Sequence, residues 1–210
     1  MNRHDQRDLW IAAYGSSPEP GLYPSAFADH CLTRLAPTSR ILELGCGTGA
    51  DAEAFARAGH TVLATDFVPA VVEANLNRLR HIPNLAFDTM RIDEPYPFAP
   101  ASFDAVYAHL TLHSFPHDIT TTILAEIHRV LTPGGLLLFA CKSPDDRAYG
   151  KGVEIERDMF DFHGKIRHFF SEDYARELLA ETFEDIEIQS HRGKLYRQRA
   201  GWITVVARSV

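Results

Sequence analysis

The sequence predicts an α/β protein with a doubly wound sheet of mostly parallel strands. Short apolar runs alternate with segments of helical periodicity, as in parallel sheets that carry helices on both faces. A glycine-rich turn, 45–49, follows the first apolar run directly. The last two apolar runs have no helix between them, so at least one of these strands must run antiparallel.

Seven segments are predicted as strands, because each is a short apolar run bounded by turn residues. The run 136–141 is apolar at almost every position, which is typical of a central parallel strand covered on both faces. The last two runs are predicted to pair as a C-terminal hairpin. The predicted strands are 40–44, 61–65, 85–88, 103–109, 136–141, 183–189 and 202–208.

Six segments are predicted as helices from their apolar periodicity and their start and stop signals. Thr48 and Ser171 are predicted N-caps, and Pro24 and Pro69 fit a first helical turn. No linker is rich enough in glycine or serine to divide the chain, so we expect a single domain over 1–210. The predicted helices are 4–14, 24–35, 48–57, 69–79, 117–131 and 171–182.

Composition narrows the class of protein. A chain of 210 residues with 45% hydrophobic and 23% charged residues can bury a proper core. The net charge of −7 and a pI near 5.8 argue against nucleic acid as a partner. The basic residues of the last predicted hairpin are therefore interpreted as its solvated edge. They are Arg192, Lys194, Arg197 and Arg199.

The cellular location is predicted from the length of the apolar runs, the N-terminal sequence and the cysteines. No apolar run reaches the roughly 18 residues that span a bilayer, so no membrane partner is expected. The N-terminus is polar and does not resemble a secretory signal. Three widely spaced cysteines indicate reduced thiols and a cytoplasmic protein. A monomer and a homodimer both remain open.

The glycine-rich turn predicts a nucleoside site. Gly45, Gly47 and Gly49 let the backbone approach a ligand closely, at the cost of chain entropy. Glu43 precedes the turn, and Asp66 follows Gly49 by 17 residues at the tip of the second strand. A carboxylate there suits a ribose diol. The turn also satisfies the looser dinucleotide fingerprint, so glycines alone leave the nucleoside open.

The residues around the turn point to one family. The segment Glu43-Leu-Gly-Cys-Gly-Thr-Gly49 resembles motif I of the class I S-adenosylmethionine (SAM) dependent methyltransferases. The segments 98–104 and 129–135 resemble that family's entries into strands 4 and 5. The resemblance covers about 38–210. It implies a Rossmann-like, doubly wound, seven-stranded sheet, mostly parallel with a C-terminal antiparallel hairpin.

The resemblance also implies a cofactor site for SAM, with S-adenosylhomocysteine as its product. In that site the glycines pass under the methionine and ribose, Asp66 accepts from both ribose hydroxyls and Phe67 lies beside adenine. An acid after strand 3 binds the adenine amine. Asp88 and Asp93 are the candidates, and spacing favours Asp93. The predicted cofactor-binding residues are Glu43, Gly45, Cys46, Gly47, Gly49, Asp66, Phe67, Asp93 and His109.

The tail of the chain looks like small-molecule methyltransferases of the tellurite-resistance or thiol type, on the segments 146–156 and 167–172. We expect a helical lid at 1–36 and a substrate loop at 142–170, because ligands in such folds lie beyond the carboxyl ends of the strands. The predicted substrate-binding residues are Trp10, Tyr14, Tyr23, His113, Tyr149, His163, Arg167 and His168.

The implied reaction is an in-line methyl transfer to an oxygen, nitrogen or sulfur nucleophile of a small molecule. The protein mainly aligns the two reactants. A hydroxyl or protonated amine acceptor needs a base, for which His109 is the catalytic candidate, whereas a thiolate or a metalloid oxyanion needs little or none. No metal is expected, because the His, Asp and Glu residues lack compact ligand spacing.

Two other classes of function are alternatives to a methyltransferase. A nicotinamide-dependent oxidoreductase would need a second domain, for which 210 residues leave no room. A SAM-binding protein without catalysis would bind the cofactor and give no turnover on any acceptor. A methyltransferase that detoxifies thiols or metalloid oxyanions ranks level with one that acts on a metabolite.

Overall fold

The computed structural model describes residues 6–14, 23–195 and 198–210. Its main sheet has seven strands in the order β3-β2-β1-β4-β5-β10-β9. The pairs β1–β2, β2–β3, β1–β4 and β4–β5 are parallel, and β10 runs antiparallel to both of its neighbours. The strands are β1 Arg40–Leu44, β2 Thr61–Asp66, β3 Leu85–Thr89, β4 Phe103–His109, β5 Leu131–Lys142, β9 Phe183–Leu195 and β10 Gln198–Ser209.

Helices cover both faces of this sheet. The hydrophobic core has two parts, one on each face. Buried side chains of α5 and α6 pack against the strands on one face, and those of α2, α3 and α4 pack against the strands on the other. This double cover explains why β1 is buried at every position but its first. The α-helices are α1 Arg7–Tyr14, α2 Ala26–Leu32, α3 Ala50–Arg57, α4 Pro69–Leu79, α5 His117–Val130 and α6 Glu172–Leu179, with a 3₁₀ turn at Leu112–Ser114.

The predicted fold class is confirmed. All seven predicted strands are present, and the antiparallel member is β10. The terminal hairpin is longer than predicted, because its strands hold 13 and 12 residues. The predicted cap at Thr48 is wrong: α3 begins at Ala50, and its N-cap is Gly49, in a left-handed conformation without a side-chain cap.

The segment predicted as a substrate loop contains a second sheet. Its antiparallel strands are β6 Val153–Glu156, β7 Met159–Phe162 and β8 Lys165–His168. Gly152 turns the chain into β6 at a φ of +93°, where a Cβ would lie 2.1 Å from the carbonyl oxygen of Asp161. The sequence carried a signal for these strands, since apolar residues alternate with polar ones in 153–156.

No helix in the described part of the chain combines the length and the apolar character that a bilayer crossing demands. The single domain over 1–210 stays a prediction.

Candidate active site

A cavity of about 1250 Å³ opens beyond the carboxyl ends of the parallel strands. Its walls come from the glycine turn, the tips of β2, β4 and β5, the three-stranded sheet and the segment that leads into α2. Cavities for one drug-sized ligand measure about 300–1,000 Å³. The space is therefore large enough for two ligands side by side.

The glycine turn is shaped by the protein around it. Gly45, Gly47 and Gly49 all have positive φ values, of 73°, 50° and 71°. A Cβ on Gly45 would lie 2.6 Å from Oγ1 of Thr111. Asn75 of α4 is buried and donates from its Nδ2 to the Gly47 carbonyl at 2.8 Å. Packing against the protein thus demands glycine at position 45, and Asn75 supports the turn from behind.

Three buried carboxylates line the cavity beside this turn, those of Glu43, Asp51 and Asp66. Burial, and then repulsion from the other two acids, raises the pKa of Glu43 well above its usual value. Its Oε2 has no hydrogen-bond partner among the described residues. A ligand that carries positive charge would compensate this cluster, and the ammonium and sulfonium groups of SAM fit that requirement.

Asp66 stands where the resemblance places a ribose ligand. It is the last residue of β2 and lines the cavity. Its Oδ2 accepts from the Gly47 N–H and its Oδ1 from the Val68 N–H, each at 3.0 Å. Burial raises its pKa, and these backbone donors act in the opposite direction. Two backbone contacts therefore fix its carboxylate next to the glycine turn.

Asp51 is a site residue that the sequence analysis missed. It lies in the first turn of α3. Its carboxylate accepts from the Ser25 N–H at 2.6 Å, the Ser25 hydroxyl at 2.9 Å and the Tyr107 hydroxyl at 2.7 Å. Nδ1 of His109 lies 3.7 Å from Asp51 Oδ2. An acid two residues after a glycine turn was the available signal, because helix N-termini favour carboxylates.

Two histidines whose pKa values are lowered also line the cavity, His109 and His113. Burial lowers the pKa of His109 at the tip of β4, while Asp51 raises it and Lys142 lowers it. Burial lowers the pKa of His113 further, together with the positive charges of Arg167 and Lys142. A neutral imidazole can accept a proton, so His109 has the protonation state that a general base requires.

The two candidates for the adenine amine occupy different surroundings. Asp93 lines the cavity and pairs with Arg91 at 2.5 Å. Asp88 is exposed on β3, outside the cavity lining, and its Oδ1 accepts from the Thr89 N–H. Phe67 lines the cavity next to Asp66. The geometry thus favours Asp93, in agreement with its spacing.

Cys46 is buried and lines the cavity within the turn. Burial and two nearby acids, Glu43 and Asp66, raise its pKa well above the usual value, so the thiolate is disfavoured. In the described stretches of chain, no group of three or more His, Cys, Asp or Glu side chains could hold a metal ion. A reaction without metal stays a prediction.

The predicted substrate residues separate into two groups. Trp10, Tyr23, His113 and Arg167 line the cavity. Trp10 lies under Lys165, whose Nζ is 5.1 Å from the indole centroid. Tyr23 lines the rim and is 83% exposed. The side chain of Tyr14 lies outside the described residues.

The other three predicted substrate residues do not line the cavity. Tyr149 packs edge-on against Phe169, and its hydroxyl donates to Asp158 at 2.6 Å. His163 is exposed at the turn between β7 and β8. His168 is buried against the ring of Tyr174. Their substrate roles have no support from the geometry, because sequence spacing does not show which face of a strand a residue occupies.

Several cations that line the cavity were not predicted from the sequence as site residues. Lys142 at the end of β5 and Lys165 on β8 line the cavity. Lys194 and Arg199, interpreted from the sequence as a solvated hairpin edge, pair with each other across β9 and β10 and line the cavity as well. Arg197 lies outside the described residues. The extra length of the terminal hairpin brings this cluster to the site.

The strand order, the glycine turn and the acid at the tip of β2 together define a class I SAM-dependent methyltransferase. A family model described as a methyltransferase domain matches residues 41–135. The chain belongs to this class, and its cofactor is SAM. The finer likeness to the tellurite-resistance or thiol type stays a prediction.

Relatives and a solved structure agree with this class. The chain is 31% identical over 153 residues to EEF1A lysine methyltransferase 4 of Mus musculus, covering 63% of this chain and 59% of that protein's length. It is 27% identical over 191 residues to a ubiquinone biosynthesis O-methyltransferase of Xanthomonas campestris pv. campestris, covering 89% and 79%.

The fold also matches a Burkholderia thailandensis 1,6-didemethyltoxoflavin-N1-methyltransferase, solved with 1,6-didemethyltoxoflavin and S-adenosylhomocysteine. The TM-score is 0.71 at 23% identity, over 99% of this chain and 84% of that one. At this identity the likeness concerns the fold.

Proposed function

We propose that this protein transfers a methyl group from SAM to a small-molecule acceptor. The observation that carries the proposal is a cavity large enough for two ligands, with buried carboxylates on the side of the glycine turn. Ubiquinone biosynthesis O-methyltransferase is named for small-molecule chemistry, and EEF1A lysine methyltransferase 4 for a protein lysine. The cover over this cavity, formed by Trp10 and the three-stranded sheet, favours the smaller acceptor.

Three acidic residues of the chain would each bind a different part of the cofactor. Asp66 would hold the ribose hydroxyls, Asp93 the adenine amine, and Glu43 the positively charged end of the cofactor. When bound, SAM supplies a methyl group activated by its sulfonium. The cover excludes water and aligns the acceptor, which is the main contribution that such a transfer needs.

We assign to His109 the role of general base for a hydroxyl or amine acceptor. It is neutral, partly exposed to the cavity and close to Asp51. The negative charge of Asp51 would stabilise the imidazolium that forms when His109 takes a proton. An acceptor that ionises by itself, such as a thiol or a metalloid oxyanion in a detoxifying enzyme, would not need this step.

We also infer the domain organisation, the cellular compartment and the partners of the protein. We infer that 6–14 and 23–36, the described parts of the predicted lid, cover the acceptor side together with 142–170, within a single domain 1–210. Gln6 bonds to both the β8 backbone and Ser114. Three free, buried cysteines support a reducing compartment such as the cytoplasm. The acidic net charge supports a protein that acts without nucleic acid, as a monomer or a homodimer.

Titration calorimetry with S-adenosylhomocysteine tests the cofactor site. Asp66→Ala should weaken binding about a hundredfold, because it removes charged hydrogen bonds to the ribose. Asp88→Ala is the matched control, since it removes the same charge from the neighbouring strand outside the cavity. Unchanged affinity in Asp66→Ala, or no binding to the wild-type protein at millimolar ligand, would reject the proposal.

Turnover separates the enzyme from a non-catalytic SAM-binding protein. Formation of S-adenosylhomocysteine from SAM, measured over a panel of phenols, amines, thiols and metalloid oxyanions, should rise with at least one acceptor class. Normal cofactor binding without turnover on every class would favour the binding protein.

A further inference from the structure

We propose that the acceptor carries an anionic group, a carboxylate or a phosphate, and that Arg167 with Lys165 and Lys142 binds it. This inference rests on the proposed function and names the substrate class of the same site. The three cations line the cavity from the end of β5 and from β8, and the carboxylates of Glu43 and Asp66 line it beside the glycine turn.

Arg167 would make the main contact with the anionic group. Its side chain is partly buried and lines the cavity. Among the described residues its guanidinium has no hydrogen bond or ion pair, and burial lowers its pKa more than the charge of Asp146 raises it. Removing a cation from water without a partner is costly, and an unpaired guanidinium is suited to bidentate binding of a carboxylate or a phosphate.

The neighbouring cations add to the same positive region. Burial lowers the pKa of Lys165, and the charges of Arg167 and Lys142 lower it further, so the three groups repel one another. Lys142 is paired with Asp146 at 2.8 Å. That acid also accepts from the backbone N–H of Ala148 and Gly201, so it is already engaged.

The other charged groups at this end of the cavity leave an excess of positive charge. Asp118 lines the cavity from the start of α5, and its carboxylate accepts from the Ile119 N–H. Lys194, Arg199 and Lys151 line it as well. An anionic acceptor would compensate these cations.

The strand register places aromatic side chains of the cavity wall next to the cations. In the antiparallel pair β7–β8, Arg167 lies opposite Phe160 and Lys165 lies opposite Phe162. Side chains of paired residues share a face of the sheet, and all four line the cavity. The surface therefore fits a molecule with an aromatic or other apolar body and one anionic group.

The experiment measures binding of benzoate, phenyl phosphate and the neutral benzamide by calorimetry, with and without saturating S-adenosylhomocysteine. We expect at least one of the two anions to bind more tightly than benzamide. Arg167→Met should weaken that anion about tenfold or more, because charged hydrogen bonds are lost. The preference between benzoate and phenyl phosphate identifies the anionic group.

Arg157→Met is the matched control, because its side chain is 95% exposed on the same small sheet and does not line the cavity. It should leave anion binding unchanged. Lys165→Met provides a second variant if Arg167→Met does not fold, and it should also weaken the anion. Anions that bind no better than benzamide, or equal anion affinity in wild type and the site variants, would overturn the inference.

The same measurements distinguish a failure of the proposed function from a failure of the anion site. If the wild-type protein does not bind S-adenosylhomocysteine, the proposed function is rejected, and the measurements without that ligand still test the anion site. Normal S-adenosylhomocysteine binding with no preference for an anion rejects the anion site alone.

Discussion

At the scale of single residues, two ionisable groups that line the cavity lack a partner among the described residues. Glu43 has an unpartnered carboxylate oxygen beside the glycine turn, and the Arg167 guanidinium has no hydrogen bond or ion pair. Burial penalises an uncompensated charge. Under the two proposals, a ligand group of opposite charge would compensate each of them.

His109 gives a prediction on pH. Because burial lowers its pKa below the ordinary value of 6.5, the neutral base form persists down to pH values below 6.5. For a hydroxyl or amine acceptor, kcat/KM should therefore rise with pH through that lowered pKa and be level above it. His109→Ala should reduce kcat about a hundredfold and remove this acid limb.

The control for this measurement is His81→Ala, which changes an exposed histidine after α4. Its pH–rate profile should match that of the wild type. A normal rate in His109→Ala would instead indicate an acceptor that ionises by itself. An acid limb centred above pH 6.5 would contradict the neutral, buried imidazole.

At the scale of elements, the three-stranded sheet determines where the acceptor-side cations lie. Its register sets Arg167 and Lys165 on the face that lines the cavity, and a one-residue slip would turn both away. On the other side of β7, Gly152 permits the pairing with β6, because a Cβ there would meet the backbone of Asp161.

Gly152→Ala should therefore open the pairing of β6 with β7. Its Cβ would lie 2.1 Å from the Asp161 carbonyl oxygen, and the φ of +93° adds strain. Hydrogen exchange of the amides in 153–156 and 159–162 should become at least about tenfold faster. Mass spectrometry of peptides from these ranges measures the effect.

Gly150→Ala is the control in the same turn region. Its φ is also positive, at +73°, but a Cβ would meet nothing within 4 Å. It should change exchange much less than Gly152→Ala does. Equal protection in the Gly152 variant and the wild type would show that the contact with β7 does not determine the pairing.

At the scale of the whole molecule, the N-terminal helix connects two parts of the acceptor side. Gln6 is buried, donates to the Ser114 carbonyl at 3.2 Å and accepts from the Ile166 N–H at 2.9 Å. It thus joins the segment before α1 to β8 and to the 3₁₀ turn after β4. Trp10, under Lys165, lies one turn further along the chain.

Gln6→Ala should release this helix from the molecule. The change leaves the buried Ile166 N–H without its acceptor, which costs about 1–3 kcal/mol. Limited proteolysis should then cleave within 7–14 at least about tenfold faster, and the KM of the acceptor should rise. Asp8→Ala, an exposed change in the same helix, is the control and should behave like the wild type. Cleavage at the wild-type rate in Gln6→Ala would contradict the connection.

The fold class and the cofactor were predictable from the sequence alone. Short apolar runs indicated the strands, and Gly45, Gly49 and Asp66 indicated the turn and the carboxylate near it, because these features depend on local sequence. The predicted positions of β1, β4 and α4 agree with the structure to the residue.

The rest of the cavity lining could not be predicted from the sequence. Asp51 meets Ser25 and Tyr107, and Lys194 reaches the cavity, through contacts between segments far apart in the chain. Local pattern does not encode such contacts, and it predicted a loop where β8 presents Arg167. The physical reason is that side-chain charge acts through space, so the sign of a cavity depends on which distant residues the fold brings together.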